Sequence, residues 1–382
     1  MEIVLYVHEL YPEIGHSHAM IETLRNFPPG AIKKLTVIAY ESAALENIFP
    51  ELKGRCSFKK VPGKTLAPFL IKMLFYQFYA LLYSYFRVPA HAKELGIGIA
   101  HLRPKFVNVQ FLHFQWAKHY FTMGKMPFYK YIYKKILFFF FDLGERIVYQ
   151  NPLVKVGALS KFVQEALIEK YHRNPNNTHL TYSGINTQKF SLDLRPRQEI
   201  WRELANTYPE MTKLEPNQPI ALFVGALERK GLLYILKCLE KKTSPYQLIV
   251  VGKPEVGTHI DLSTYPNIAY IPYTKELPLF YSLADQFLFP TLYEPFGLVI
   301  IEAAIMGLDV YTLKKDVGAS ELLAGLPEIH VAETIEQFVI PIPRIISLQE
   351  KLQHRQERLK HLENYTWKET GTSFYNLLTA DQ

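Results

Sequence analysis

Short runs of branched and aromatic apolar residues alternate along this chain with longer amphipathic stretches. In the first half, Ile3–Val7 (IVLYV), Leu35–Tyr40 (LTVIAY), Val107–His113 (VNVQFLH), Val154–Leu159 (VKVGAL) and His179–Tyr182 predict strands. Between them Ala19–Asn26, Leu66–Glu94, Phe128–Arg146 and Phe162–Tyr171 read as helices, the last capped by Ser160. The second half repeats the alternation. Ile220–Val224, Tyr246–Val251, Ile268–Ile271, Gln286–Phe289 and Asp309–Thr312 predict strands, and Gly231–Leu239, Leu277–Leu283 and Gly297–Met306 predict helices, the last closed by Gly307. The polar stretch Ser191–Gln218, with Pro196, Pro209 and Pro216, reads as a helix plus linker at a domain boundary. A last helix, Trp367–Leu378, has no strand after it and is expected to pack back on the first domain. Strand–helix alternation in both halves implies an α/β chain of two doubly wound parallel sheets. In such folds ligands bind at the carboxyl ends of strands, so a cleft between the two domains is the expected site.

Composition narrows the class. With 382 residues, 48% apolar and 21% charged, the chain has material for two large cores, which excludes wholesale disorder, collagen and coiled coil. Two cysteines, Cys56 and Cys238, cannot build a disulfide framework or a Cys-rich metal site, and a reducing compartment is the simple reading. The opening segment carries Glu2, Glu9 and Glu13 and lacks the basic, then apolar, pattern of a secretory leader. The net charge of +7 is uneven: 24 Lys and Arg face 12 Asp and Glu in 1–190, against 19 and 24 in 191–382. The contrast peaks in 52–141, where 15 basic residues meet one carboxylate, Glu94, among 23 of the chain's 53 aromatics. A basic aromatic surface suits anionic lipid, phosphorylated acceptors or nucleic acid, but no nucleic-acid motif accompanies it, so no nucleic-acid partner is expected. Pro68–Phe86 is long enough to span a bilayer yet holds Lys72, Gln77 and Ser84. Two readings stand beside each other: a helix lying on a membrane surface, or a buried helix with snorkelling lysines.

The densest chemistry lies in Pro290–Gly307 (PTLYEPFGLVIIEAAIMG). A strand ends at Pro290, a loop carries Glu294-Pro295-Phe296-Gly297, and a helix carries Glu302. Main-chain N–H groups at that helix start suit phosphate or a hydroxyl oxygen, and Gly297 permits close approach. Glu294 and Glu302 can each accept from vicinal hydroxyls of a sugar or ribose. Equally, they can be a dipole-complementing charge and a solvated carboxylate.

The whole segment resembles the Glu-x7-Glu motif of glycosyltransferase family 4, retaining enzymes of GT-B fold, including the flanking Pro-x-x-x-Glu-Pro-Phe-Gly-Leu and the Gly-Ala-Ser-Glu of Val317–Glu321. Tyr11–Gly15, Leu159–Tyr171, Tyr182–Phe190, Phe223–Gly231 and Tyr365–Glu369 resemble further segments of that family in the same order. The resemblance implies two Rossmann-like domains: 1–190, completed by helix 366–382, for the acceptor, and 191–365 for a nucleotide-sugar donor. It implies transfer of a sugar from a nucleotide-diphosphate sugar, the co-substrate, to a saccharide, lipid-linked or other anionic acceptor, in cell-envelope glycan or glycolipid synthesis. It implies no separate cofactor and no metal, and a cytoplasmic chain associated with the inner face of the membrane through 52–141.

Carried over residue by residue, Glu302 would hold the ribose, Glu294 would contact the transferred sugar, Phe296, Gly297 and Leu298 would approach sugar and phosphate, and Lys230 with Arg229 would neutralise the diphosphate. Gly15 and His16 would flank it from the first loop, and His113, at a strand end, would meet the transferred sugar or acceptor. His18 and His119 are rivals for that histidine. The chain departs from the family at His16, where a second glycine is usual, at Ala226, where an arginine is, and at Ser183, where an asparagine is. These departures motivate an alternative: a silent GT-B protein that binds nucleotide sugar or glycan without turnover.

Overall fold

The computed structural model describes residues 1–122, 126–240, 246–254 and 260–380. It divides into two compact units, Met1–Gly184 with Tyr365–Gln382, and Ile185–Asn364. In the first, the apolar runs pair as a seven-stranded parallel sheet. Its strands are β1 (Glu2–Tyr6), β2 (Lys34–Ala39), β3 (Cys56–Lys60), β4 (Lys93–Ile97), β5 (Phe106–Val109), β6 (Lys155–Ala158) and β7 (Thr178–Leu180), in the order β3-β2-β1-β4-β5-β6-β7. Ile3, Val4, Leu5 and Tyr6 of the central strand are all buried, as strands covered on both faces require. Helices α1 (Gly15–Arg25), α2 (Phe69–Arg87), α3 (His113–Tyr120), α4 (Phe128–Tyr149) and α5 (Lys161–Tyr171) connect them, and Ser160 caps α5 by accepting from the Val163 amide.

The second unit opens with α6 (Arg197–Thr207) and holds a six-stranded parallel sheet of β8 (Ile220–Val224), β9 (Gln247–Val251), β10 (Ile268–Ile271), β11 (Gln286–Phe289), β12 (Asp309–Leu313) and β13 (Ile329–Ala332). Its order is β10-β9-β8-β11-β12-β13, the six-strand arrangement of the Rossmann fold. Helices α7 (Leu232–Leu239), α8 (Leu277–Leu283), α9 (Leu298–Ile305) and α10 (Leu348–His361) accompany it. The chain then returns to the first unit as α11 (Trp367–Thr379), whose Phe374, Leu377 and Leu378 join Ile3, Leu5, Leu24 and Val37 in one buried cluster.

Several elements differ from the sequence pattern. The helix expected over Leu66–Glu94 stops at Arg87 because Val88 precedes Pro89, which disfavours helical backbone. Glu94 instead enters β4, buried, where its carboxylate accepts from the Tyr6 hydroxyl at 2.7 Å. The strand expected over Val107–His113 ends at Val109, and His113 begins a helix whose N-terminal amides find a side-chain acceptor. Helix α1 starts at Gly15, ahead of the expected Ala19. β3, β13 and α10 have no counterpart in the sequence reading: β3 is a lysine-bearing edge strand, and α10 is mostly polar, its leucines being Leu348, Leu352 and Leu359 only.

Helix α2, Phe69–Arg87, has one buried side and one exposed side. It buries Met73, Tyr76, Gln77 and Ala80 while Phe69, Ile71, Leu74, Phe78, Leu82, Tyr85 and Phe86 face out. Among the described residues no helix is long and apolar enough to cross a membrane.

Because α11 supplies part of the first unit's core, Phe374→Ala is expected to lower stability by about 3–5 kcal/mol, read as a shift of the urea midpoint, although the substitution lies eight residues from the end of the chain.

Candidate functional site

The order in which strands are added reverses about β8. The path runs through β9 and β10 on one side and then through β11, β12 and β13 on the other, which makes the carboxyl ends of β8 and β11 the switch point where ligands of such sheets bind. Both sequence motifs of the second unit emerge there: Gly225–Gly231 follows β8, and Pro290–Gly297 follows β11.

The two loops touch through main chain. Gly231 has φ +89, and a Cβ there would stand 2.3 Å from the Pro290 carbonyl oxygen, so only glycine lets the loops close on each other. Ala226–Gly231 is wound on itself, with the Lys230 amide donating to Ala226 and the Gly231 amide to Glu228. Thr291, fully buried, donates its hydroxyl to the Arg229 carbonyl at 3.4 Å.

The second loop is stitched to the Gly-Ala-Ser-Glu segment as an isolated parallel bridge between Glu294 and Val317. The Glu294 amide donates to Asp316 at 2.8 Å, the Gly318 amide to Glu294 at 2.9 Å, and the Ala319 amide to Phe296 at 2.6 Å. That downstream motif is therefore a splint for the first carboxylate. Gly297, at φ +101, starts α9, whose first amides have no intrahelical acceptor.

Lys230 and Glu294, each largely buried, form an ion pair, and the ammonium also lies 5.4 Å from the Phe289 ring centroid. The groups expected at the diphosphate and at the transferred sugar thus satisfy each other. Glu302, on α9, is half-buried and accepts from the Tyr281 hydroxyl at 3.3 Å. Burial pushes its carboxyl up to about 7, against the opposing pull of the Lys189 ammonium and the Tyr281 hydroxyl. Arg229, Lys230, Glu294, Phe296, Gly297, Leu298 and Glu302 are gathered at this one sheet edge. Lys189 and Tyr281 are additions that the sequence reading lacked. Lys189 could have been flagged by its place in Tyr182–Phe190, whereas Tyr281 shows only as a core aromatic.

In the first unit the equivalent switch point lies between β1 and β4. Gly15 and His16 sit in the first turn of α1, beyond β1. His16 is desolvated, which lowers its basicity. His8, one residue past the end of the β1–Val7 run, packs edge-on against the Tyr76 ring at 4.5 Å and keeps its buried Nε2 without a hydrogen-bond partner. Burial, then like charge from His16, His113 and Lys72, drops His8 to about 4, so it is neutral near pH 7. His113 is the first residue of α3, not the end of a strand. Its ring stacks on Phe141 at 3.9 Å, and its Nδ1 lies 3.1 Å from Oε1 of fully buried Glu145. Of the rivals, His18 packs edge-on against Trp367 at 5.9 Å and His119 lies in the last turn of α3. His8 and Glu145 were missed. His8 follows the first apolar run and Glu145 stands between Gly144 and Arg146, and in neither place does sequence show a partner.

Residues 218–347 match the family model described as Glycosyl transferases group 1. A capsular polysaccharide biosynthesis glycosyltransferase, CapM of Staphylococcus aureus, is 30% identical over 140 residues, 34% of this chain and 34% of that protein. The chain spans less than half the length of the curated relatives it matches. Among solved structures, WaaG, a glycosyltransferase involved in lipopolysaccharide biosynthesis, is similar over 100% of both chains with a TM-score of 0.70 at 15% identity. Anabaena HepE, solved in complex with UDP-glucose, is similar over 98% of this chain and 94% of its own, with a TM-score of 0.59 at 14% identity. The segment that matches the glycosyl transferases group 1 model, residues 218–347, includes the β8–β11 switch point, and the chain has the GT-B fold.

Proposed function

We propose that this protein is a retaining, family 4-type glycosyltransferase that moves a sugar from a nucleotide-diphosphate sugar to an anionic, saccharide or lipid-linked acceptor in cell-envelope glycan synthesis. The observation that carries the reading is the meeting of Arg229-Lys230, Glu294, the α9 N-terminus and Glu302 at one switch point. In this reading Glu302 accepts from the ribose hydroxyls. Glu294 accepts from hydroxyls of the sugar. Lys230, Arg229 and the first amides of α9 face the diphosphate, whose negative charge grows as the glycosidic bond breaks. No metal is assigned a part. A donor entering this edge has to part Lys230 from Glu294, so each group exchanges one partner for another and the ion pair holds the site in shape until then. On the first unit, His113 and His16 meet the sugar or acceptor. The donor phosphate itself takes the acceptor's proton, which accounts for retention. HepE's UDP-glucose makes uridine donors the first to try.

The exposed faces of α2 and α4 are assigned to an anionic membrane surface. Phe78, Tyr85, Phe86, Phe128, Tyr129 and Phe139 are each more than half exposed, among the lysines of 52–141. In this reading the chain associates with the inner face of the membrane.

Three outcomes follow. In a thermal-shift panel of UDP-, GDP- and ADP-sugars, one donor stabilises the wild type, and Glu302→Ala and Lys230→Ala lose that shift relative to their own donor-free midpoints. No shift with any donor removes the reading, and binding without transfer or donor hydrolysis identifies the silent alternative.

The second outcome concerns pH. Glu302 must be ionised to accept two hydroxyls, and its carboxyl sits at about 7. Its proton is gained as pH falls through that value, so donor affinity measured by calorimetry is expected to weaken between pH 8 and pH 6, approaching about tenfold per pH unit at the acid end. In Glu302→Gln the affinity is weaker throughout and flat with pH.

Third, the protein is expected to sediment with vesicles containing phosphatidylglycerol and not with neutral phosphatidylcholine vesicles. Replacing Phe78 and Phe139 by serine should abolish this while leaving donor binding intact. Equal sedimentation of the double variant would locate membrane contact elsewhere.

A further inference from the structure

Glu145 lies on α4, buried to 0% exposure, in a segment that the sequence gives no chemical role. Four contacts converge on its carboxylate. The His113 amide donates to Oε1 at 2.6 Å, the Phe114 amide to Oε2 at 3.2 Å and the Tyr171 hydroxyl to Oε2 at 2.9 Å, and His113 Nδ1 stands 3.1 Å from Oε1. Two of these are first-turn amides of α3, so the carboxylate caps that helix from another element. Capping alone needs only the amides. The fourth contact does something else.

The three unambiguous partners can only donate here, so the carboxylate serves as the acceptor of the cluster. Burial and the neighbouring Glu145 charge push the Tyr171 phenol far up, which keeps it protonated as a donor. An ionised carboxylate has no hydrogen to give. The ring nitrogen facing it must therefore carry one, and the neutral His113 ring is held with Nδ1 protonated and Nε2 bearing the lone pair. Phe141, one turn before Glu145 on the same helix, stacks on the ring and fixes its plane.

We propose that Glu145 is a positioning residue: by binding the α3 amides and His113 Nδ1 together, it sets the tautomer and orientation of His113 so that Nε2 accepts a hydrogen bond from a sugar or acceptor hydroxyl. The proposal rests on the glycosyltransferase reading for the identity of that hydroxyl; the tautomer itself does not depend on it. Carboxylate-held histidines gain their function in this way in unrelated folds, where losing the carboxylate leaves the ring in place with the wrong nitrogen protonated. A purely structural Glu145 would leave kcat insensitive to which nitrogen of His113 is protonated.

The test uses the full chain labelled with ¹⁵N-histidine. Long-range ¹H–¹⁵N spectra above pH 7, with His113 assigned by its loss in His113→Gln, should show Nδ1 protonated and Nε2 unprotonated. In Glu145→Gln the side-chain amide can donate to Nδ1, and the ring is expected to move to the Nε2–H tautomer. With the donor identified above, kcat of Glu145→Gln should fall by about tenfold to a hundredfold with donor KM changed by less than about twofold. Tyr171→Phe removes one donor to the same carboxylate and should leave the tautomer unchanged. An Nε2–H tautomer in the wild type overturns the proposal even where Glu145→Gln does not fold. So does a Glu145→Gln chain that keeps both tautomer and kcat. If the protein transfers no sugar, the spectra still decide the role of Glu145, and the two failures stay separate.

Discussion

The candidate donor site depends on one close approach of main chain to main chain. The loop after β8 and the loop after β11 are far apart in sequence, and they make one site only because Gly231 can lie against the Pro290 carbonyl. Any Cβ at that position would wedge the loops apart and carry Arg229 and Lys230 away from Glu294. The fixed spacing of the two loops then determines what the side chains can do. The Lys230–Glu294 ion pair spans the gap, and the bridge from Glu294 to Val317 holds the far side. The site is thus built from backbone geometry first, with charge added to a frame already closed.

The same principle recurs where the chain buries charge. Fully buried Asp285 accepts from the Ile220 and Ile346 amides and from both arms of the Arg197 fork, tying the start of β8 to α6 and to the approach to α10. On α10, Arg358 donates to the carbonyls of Ala304 and Leu308, Arg355 to that of Ile305, and Lys351 to those of Ser282 and Ala284. Ala304 and Ile305 end α9, Leu308 follows it, and Ser282 and Ala284 lie at the end of α8. Arg355 and Arg358 therefore close the helix that carries Glu302 at one end, while Gly297 opens it at the other. Burial, the largest cause, pushes Lys351 down to about 8 and Arg358 to about 10, yet both have carbonyl dipoles to hold them. Glu145 does in the first unit what these do in the second, at a helix start in place of a helix end.

The fold was legible where its physics is local. Strands covered on both faces read as unbroken apolar runs, and β1, β8, β9, β11 and β12 stand close to where those runs place them. Glycine after a strand and a carboxylate early in the next helix marked Gly297 and Glu302. The failures share a cause. β3 carries exposed lysines because it is an edge strand, α10 went unread because its buried cations look like surface charge, and the helix read over Leu66–Glu94 ran past the Val88–Pro89 break into a strand.

By itself the sequence determined an α/β chain of alternating strands and helices, the two loops rich in candidate chemistry, and the uneven basic, aromatic first half, since each follows from residue type and spacing along the chain. It could not determine which strands neighbour one another, and so could not place both loops at a single switch point. Nor could it pair Lys230 with Glu294, Tyr281 with Glu302, or Glu145 with His113. Those pairings join residues distant along the chain, and only the packing of parallel strands and their covering helices brings such residues within hydrogen-bond reach.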